Sequence, residues 1–341
     1  MDTFARRPAV DRATYFREAA ARMGLPPHVI EKDFWACWTL KRLFSLESLK
    51  EHLLFKGGTS LSKAYRLIHR FSEDIDISIQ RESLGFGGEN DPANPKLSNK
   101  ARTRQVEALG DAAKSQIFEK VSPELDRMIR NQGLNEDYTL TKDDTDPDQQ
   151  SLAFAYPRSE LTQYATAYLR PSVKIEFGAR SDHWPAEIKE LQPYLAEVIP
   201  DAMQESTIAV KVMDVRRTFW EKATILHQLA HLPANKLFPA RYSRHYSDVA
   251  ELITSKVADE AANDEQLLKA VVDHKQTFYR SAWANYSTAK KGTLRLLPPE
   301  DRVTDLAKDL ESMREMFFDQ PPGLKQVLQI LDDWLSTFNR G

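Results

Sequence analysis

Two aspartates separated by a single isoleucine, Asp74 and Asp76, lie in the stretch EDIDISI. If this stretch is a strand, residues two apart point to the same side, so both carboxylates share one face and the isoleucines face the core. Two close carboxylates repel each other unless a cation lies between them or one stays protonated. A divalent metal meets that need, and Mg²⁺ prefers one or two carboxylates completed by substrate phosphate oxygens and water.

A glycine pair, Gly57 and Gly58, precedes the aspartates in KGGTSLSKAYRLIH. Glycines at the junction of a strand and a helix let backbone N–H groups approach a phosphate, which the helix dipole favours. Thr59 and Ser60 extend this predicted phosphate site, although either could simply be the N-cap of the helix. Local positive charge follows at four positions: Lys63, Arg66, His69 and Arg70.

Phosphate ligands at one end of the segment and metal carboxylates at the other indicate nucleoside triphosphate chemistry. The pattern GxxxxGK[ST] is absent, so the segment is not a P-loop. Each half alone has a plain structural explanation, since an Asp pair is often only solvated and Gly-Gly is often only a turn. The two halves together, in this order and with a helix between them, favour a functional site.

Composition excludes several classes of protein. The chain of 341 residues carries a net charge of −3 and 28% charged residues, without the basic excess of a dedicated nucleic-acid binder. Cys37 is the single cysteine, which excludes an intrachain disulfide and a cysteine-rich zinc site. No apolar stretch reaches signal-peptide or membrane-spanning length, so we expect a cytoplasmic protein with no membrane partner.

The elements around the motif predict an α+β protein. Helices are expected at 12–23, 28–45 and, as a long polar helix, 100–131, with an exposed loop at 89–100. Strands are expected near residues 52–56, 74–79, 137–141, 151–156, 172–178 and 207–213, and a helix at 59–69. From Val215 onward the pattern is helical, with breaks near Pro233, 291–299 and Pro321. We therefore predict an α/β domain at 1–213 and a helical domain at 214–341.

The segment GGTSLSKAYRLIHRFSEDIDISI resembles the signature of the DNA polymerase β-like nucleotidyltransferases, and its form GGTxLxK…RFSxDID is similar to the AbiEii/AbiGii toxin family, which includes the MenT toxins. EKDFWACWTLKRLF, WEKATILHQL and SRHYSDVAEL look like further motifs of that family. The stretch 80–170 and the residues after about 255 carry no motif that we match.

The resemblance implies a nucleotidyltransferase core, a mixed sheet flanked by helices, followed by an all-α domain that closes the cleft. It implies transfer of a nucleotide from an NTP with Mg²⁺, by the toxin of a toxin–antitoxin or abortive-infection system. Some characterised members add pyrimidine nucleotides to the 3′ end of tRNA. A cognate antitoxin is the usual partner.

Glu176 and Lys222 are the next candidate site residues. Glu176, in the alternating stretch VKIEFG, matches the third metal carboxylate of polymerase β-like enzymes and could accept a proton; a solvated strand face beside Lys174 is the alternative. Lys222 falls inside the apolar arc of its helix, where a lysine either snorkels to the surface or meets an anion. The family motif also has a lysine here, which favours contact with a phosphate.

The resemblance also points to residues of the motif SRHYSD. The family pattern is Arg-Asp-x-x-Asp, so Arg244 and Asp248 carry over while the role of His245 stays open. Spacing alone would predict only an exposed ion pair between Arg244 and Asp248. Arg241 is a further candidate for a triphosphate or RNA cradle. Ser72, conspicuous in the family, either positions the metal loop, accepts a modification or caps the strand.

Three functions remain open from the sequence. The first is transfer of NMP to RNA, with the tRNA 3′ end as the expected acceptor. The second is transfer to a protein, such as an antitoxin. The third is a non-catalytic module that binds nucleotide or a partner, although such degenerate copies usually lose a metal carboxylate and both are present here.

Overall fold

The structure is a computed structural model that describes residues 1–134, 138–159, 161, 171–318 and 322–340. It divides into two units, one made of Met1–Ala64 and Phe71–Val212 and the other of Tyr65–Arg70 and Met213–Gly341. The short segment Tyr65–Arg70 thus belongs with the C-terminal helices, although it lies between the glycine pair and the aspartates in sequence. Two predicted features, a strand start at residue 137 and a break near Pro321, lie outside the described residues.

The first unit contains a mixed sheet, which confirms the predicted α+β class. Its strands occur in the order β3-β4-β5-β2-β1-β7-β6. Strand β1 pairs with β2 in antiparallel and with β7 in parallel orientation, and β2 pairs with β5 in parallel orientation. The strands are β1 Leu53–Lys56, β2 Ile75–Ile79, β3 Thr139–Lys142, β4 Ser151–Ala155, β5 Val173–Gly178, β6 Ala186–Leu191 and β7 Ile208–Met213.

Alternation orients the two central strands as predicted. All three isoleucines of β2 are fully buried, the apolar face of β5 is buried, and the alternate acidic positions are half-buried. The sequence pattern missed β6, whose residues AEIKEL include three charged side chains and form an edge of the sheet. Charged side chains are common on edge strands because they discourage pairing with another chain.

Helices α1 Asp2–Ala5, α2 Ala9–Met23 and α3 Pro27–Leu43 precede the sheet. Helix α3 supplies the aromatic core that anchors the sheet: Trp35 stacks on Tyr156 at 5.4 Å between ring centroids, and Trp38 stacks on Phe154 at 5.8 Å. Both tryptophans are fully buried. Large aromatic contacts of this kind dominate core energetics, so α3 is held rigidly against β4.

Two predicted helices differ in detail. The helix expected at 59–69 is α4 Gly57–Lys63, because the chain leaves the helical conformation and Arg66 adopts a left-handed φ of 56°. The long polar helix is present as α5 Asn99–Ser115 and α6 Ser122–Asn131, joined by a π-helical stretch at Gln116–Val121. One further short helix, α7 Tyr194–Val198, completes this unit.

The second unit is helical, as predicted for the C-terminal part. Its core includes Phe219, Trp220 and Trp334, with Trp334 stacked on Phe338 at 5.0 Å. None of the helices in the described part of the chain has both the length and the apolar character needed to cross a bilayer. The helices are α8 Val215–Leu229, α9 Ser243–Thr254, α10 Val257–Ala262, α11 Glu265–Phe278, α12 Val303–Ser312 and α13 Leu324–Arg340.

Candidate active site

The glycine pair forms the first turn of α4, directly after β1. Gly57 has a φ of 78°, a left-handed conformation that side chains disfavour. A Cβ built on Gly57 would lie 1.9 Å from Oδ2 of Asp76, because Lys56 at the end of β1 is paired with Asp76 of β2. Only glycine therefore allows the turn to lie against this carboxylate. The two halves of the sequence motif meet at this point.

Three predicted carboxylates lie near one another at the interior strands β2 and β5 of the sheet. Asp76 lies directly opposite Glu176 in the parallel register of β2 and β5, and Asp74 immediately precedes β2. Burial raises the pKa of Asp74 to about 7, and the negative charges of Glu73, Glu176 and Asp76 act in the same direction. The structure therefore brings together all three acids that the sequence pattern and the family resemblance assigned to the metal.

The residues present fit a divalent cation that is completed by substrate oxygens. Within the described ranges, no group of three or more His, Cys, Asp and Glu side chains forms a ready-made metal cage. Glu176 Oε1 accepts a hydrogen bond of 2.6 Å from Nζ of Lys174, the neighbour expected from the sequence. A pair of aspartates beside an open turn is the donor set that Mg²⁺ uses with phosphate ligands, since it retains water and seldom takes an all-protein cage.

Thr59 and Ser60 act inside the turn and do not cap the helix. The helix begins at Gly57 with Lys56 as its N-cap, so the predicted N-cap role is wrong. The Thr59 hydroxyl lies 2.9 Å from the Ser72 hydroxyl and also donates to the backbone carbonyl of Asp74, while Ser60 donates to the Gly57 carbonyl at 2.9 Å. These bonds fix the turn to the start of β2. Ser72 thus lies where it can position the metal loop, and Gly58 lies half-buried in the same turn.

Lys63 has a partner that the sequence pattern did not predict. Its Nζ lies 2.7 Å from Oδ1 of Asp33 and 3.6 Å from the ring centroid of Tyr194, and both charged side chains are buried. The other oxygen of Asp33 accepts the Tyr194 backbone N–H at 2.6 Å. Lys63 therefore anchors the end of α4 to α3 and α7, which differs from the phosphate contact predicted for it.

Lys32, the residue before Asp33 in α3, binds next to the aspartate pair. Lys32, almost fully buried, forms an ion pair with Glu73, the residue before Asp74. The stretch EKDFW looked like a family motif, but no role could be given to its charges from the sequence. Adjacent charged residues inside an otherwise apolar helix were the available signal, because a buried charge requires a partner.

In the second unit, Lys222 and Asp248 lie together. Lys222 Nζ donates to Asp248 Oδ2 at 2.8 Å and lies 3.5 Å from Nδ1 of His245. Asp248 is buried and also bonds Arg70, so the alternative of an exposed pair with Arg244 is wrong, and so is that of a snorkelling Lys222. Burial, and then the charges of Lys222 and Arg244, keep the pKa of His245 well below its usual value, so the ring is neutral at pH 7.

Arg70 corrects one further expectation. It was predicted to add open positive charge beside the glycine pair, yet it is 2% exposed and its guanidinium is engaged by Asp248. Of the remaining candidates, Arg241 is exposed with a φ of 65° and Arg244 is half-buried. The turn at Arg241 is held by Asp309, which accepts the backbone N–H of Arg241 and of Ser243.

Comparison with known proteins identifies the family. The sequence profile of AbiEii, described as the nucleotidyl transferase AbiEii toxin of type IV toxin–antitoxin systems, matches residues 38–334. The chain belongs to this family. The match includes the stretches after residue 80 and after residue 255 in which no motif could be recognised. Members of the AbiEii family are nucleotidyltransferases, and so is this chain. Membership of the family also implies a nucleotide substrate, a divalent metal and an antitoxin partner.

A solved structure gives a second comparison. The nucleotidyltransferase toxin MenT4 from Mycobacterium tuberculosis H37Rv is 16% identical, with a TM-score of 0.36, and the alignment covers 89% of this chain and 99% of MenT4. A comparison with curated proteins found no match.

Proposed function

We propose that this AbiEii-type protein transfers NMP from an NTP to an acceptor hydroxyl, with Mg²⁺ and with the 3′ end of a tRNA as the acceptor. The observation that carries the proposal is the meeting of Gly57 with the Asp76 carboxylate, directly opposite Glu176. A backbone that can approach a phosphate lies there against acids suited to a metal that binds phosphate.

Each residue of the site has a defined task in this reaction. The triphosphate lies along the backbone of Gly57, Gly58, Thr59 and Ser60. Asp74 and Asp76 hold Mg²⁺, which neutralises phosphate charge when bound. The acceptor hydroxyl attacks the α-phosphorus in line, its proton passes to Glu176, and pyrophosphate leaves with the electron pair of the broken P–O bond.

Residues of the helical unit contribute positive charge to phosphate binding in the proposal. Lys222 contacts a phosphate, with Asp248 as its counter-ion in the resting state, and Arg241 and Arg244 serve the triphosphate or the RNA. Guanidinium groups suit this task because they present several donors to a phosphate at once. Ser72 positions the metal loop through its bond with Thr59.

The test uses the full chain, each α-labelled NTP singly, Mg²⁺ and total tRNA. We expect one or two of the NTPs to label tRNA and Asp76→Asn to lower the rate by at least about 10³-fold. Glu187→Gln is the matched control, because Glu187 is an exposed carboxylate on edge strand β6 of the same sheet, and it should keep full activity.

The same experiment separates the alternatives. Label in a protein band, with none in RNA, would replace the tRNA acceptor by a protein. Absence of any Mg²⁺-dependent NTP turnover, with nucleotide or partner binding retained, would establish a binding module instead.

A further inference from the structure

Arg70 occupies a place in the helical unit that its sequence position does not suggest. Its Nε donates to Asp248 Oδ1 at 2.7 Å and its Nη2 donates to Asp248 Oδ2 at 2.8 Å. Both residues are buried, at 2% and 1% exposure. Two parallel charge-assisted bonds of this kind fix the plane of a carboxylate, which a lysine in the same place could not do.

The clamped carboxylate in turn fixes Lys222. Oδ2 of Asp248, already bound by Arg70, accepts a hydrogen bond of 2.8 Å from Lys222 Nζ. A lysine side chain has a flexible four-carbon stem, and a single partner that could itself rotate would leave its ammonium in several positions. The contacts from Arg70 through Asp248 to Lys222 hold the ammonium group in one position.

The backbone that carries Arg70 is itself held within the unit. The backbone N–H of His69 donates to Glu251 at 2.9 Å, and the His69 carbonyl accepts the Phe318 N–H at 3.3 Å. The Tyr65 hydroxyl donates to the Met213 carbonyl at 2.8 Å. These bonds fix the backbone next to Arg70, so its guanidinium is held in place beside Asp248.

Asp248 bonds two cations, Arg70 and Lys222, and His245 beside them is neutral. The carboxylate of Glu251, which accepts the His69 N–H, also interacts with the charge of Arg70. A lysine ammonium carries three N–H donors. Lys222 can therefore donate to a phosphate oxygen of the substrate without displacing Asp248.

We propose that Arg70 is a positioning residue for nucleotidyl transfer, which clamps Asp248 so that the ammonium of Lys222 is held in one orientation toward a nucleotide phosphate. This inference rests on the proposed function, in which Lys222 binds phosphate. Arg70 itself does not touch the substrate. Its effect on the rate passes entirely through Asp248 and Lys222.

The test compares Arg70→Lys and Arg70→Gln with the wild type in the NTP transfer assay and in thermal unfolding. Arg70→Lys keeps the charge but loses the two-bond clamp, so we expect kcat to fall about 10²-fold with KM changed by less than about threefold. Arg302→Lys is the matched control, because Arg302 is another buried arginine of the same unit whose guanidinium bonds the backbone carbonyls of residues 233, 234 and 236. Arg302→Lys should show any general loss of thermal stability that an Arg→Lys change causes, and it should keep the full kcat.

A pH profile gives a readout that loss of structure alone would not produce. Burial lowers the pKa of Lys222, Arg70 and Arg244 lower it further, and Asp248 raises it, while neutral His245 adds no charge. Arg70→Gln removes one of the two cations that face Lys222. The alkaline limb of kcat should therefore move to higher pH in this variant, even though kcat at the optimum is lower.

A double-mutant cycle with Asp248→Asn checks the route of the effect. If Arg70 acts through Asp248, Arg70→Gln should cost less than about threefold in kcat once Asp248 is replaced. Wild-type kcat in both Arg70 variants, an unmoved alkaline limb, or an undiminished cost of Arg70→Gln in the double mutant would overturn the inference. A wild type with no NTP turnover would instead refute the proposed function, so the two failures are distinguishable.

Discussion

Gly57 combines a backbone requirement with a chemical one at a single residue. Its left-handed φ of 78° already disfavours any side chain, and Oδ2 of Asp76 occupies the place where a Cβ would lie. The absence of a side chain at Gly57 thus permits both the conformation of the turn and the position of a carboxylate proposed to bind metal. These two effects can be separated experimentally, because the chain contains a glycine with only the first.

Gly57→Ala should lower transfer activity by at least about 10²-fold, since the methyl group must displace Asp76. The matched control is Gly85→Ala, whose φ is 88° but whose added Cβ would meet no atom within 4 Å. Backbone strain should cost both variants about 1–2 kcal/mol in the free energy of unfolding, and Gly57→Ala should lose more because its methyl group overlaps Asp76. Urea unfolding and rate measurements on both variants check this, and equal activity losses would show that strain alone matters.

Asp74 predicts a pH dependence of stability. Its pKa is about 7 in the folded state against an ordinary value of 3.8, so the folded protein binds this proton more tightly than the unfolded chain. The free energy of unfolding that Asp74 contributes therefore falls as the pH rises from about 4 to about 7, and is fully lost above that range. Asp74→Asn, which stays neutral, should unfold at a higher temperature than the wild type at pH 8.5, and this difference should be clearly smaller at pH 5.

The effect of Mg²⁺ on the unfolding temperature complements the pH comparison. Mg²⁺ added at pH 8.5 should raise the unfolding temperature of the wild type, because it replaces the missing proton as the partner of the carboxylates. It should raise that of Asp74→Asn much less. A difference between the two proteins that is the same at pH 5 and pH 8.5, and insensitive to Mg²⁺, would contradict the assignment.

At the scale of the elements, α3 determines where the motif begins and ends. Successive residues of one turn, Lys32 and Asp33, bind Glu73 beside β2 and Lys63 at the end of α4. The helix that carries the aromatic core thus also fixes both ends of the candidate site. Catalytic geometry gains from such support because it is held by packed elements and does not depend on a loop.

Lys63→Met should lower the free energy of unfolding by about 3–5 kcal/mol, because it leaves Asp33 buried without its cation. Adding Asp33→Asn should restore part of that loss, since an asparagine can still accept the Tyr194 N–H. If Lys63 is only an anchor, the double mutant should retain transfer activity per folded molecule, measured by urea unfolding and rates at low temperature. A folded double mutant that loses activity would return Lys63 to phosphate binding.

The elements also explain what could be read from the sequence. Period-two alternation reveals a strand wherever one face is apolar. The sequence therefore predicts β2 and β5, and it predicts that Asp76 and Glu176 lie on the faces opposite the apolar residues. Edge strand β6 lacks such a face and was missed. The partners of Lys63 and Arg70 could not be read, because Asp33 and Asp248 are distant in sequence and periodicity carries no information on tertiary pairing.

At the scale of the whole molecule, the helical unit is discontinuous in sequence. Tyr65–Arg70 belongs to it, although its remaining residues begin at Met213. A boundary drawn from pattern alone, at residue 213, does not group this segment with the C-terminal helices. The change from mixed to helical pattern shows only where a long helical stretch begins.

A fragment of residues 1–212 should consequently fold poorly on its own. It would contain Arg70 without Asp248, and Tyr65 and His69 without Met213 and Glu251. We expect circular dichroism and limited proteolysis to show a loosely packed fragment, and co-expression with residues 213–341 to restore protection and activity. A stable fragment with a cooperative unfolding transition would contradict the discontinuous assignment.

Cys37 has a practical consequence for following this enzyme at work. It is the single thiol of the chain, lies 1% exposed in α3, and burial raises its pKa, so it is unreactive toward alkylating reagents in the folded state. Fluorophores attached to two engineered surface cysteines, one in each unit, would carry no background from the native residue. Energy transfer between such dyes would report any movement of the units as nucleotide, metal and acceptor are added in turn.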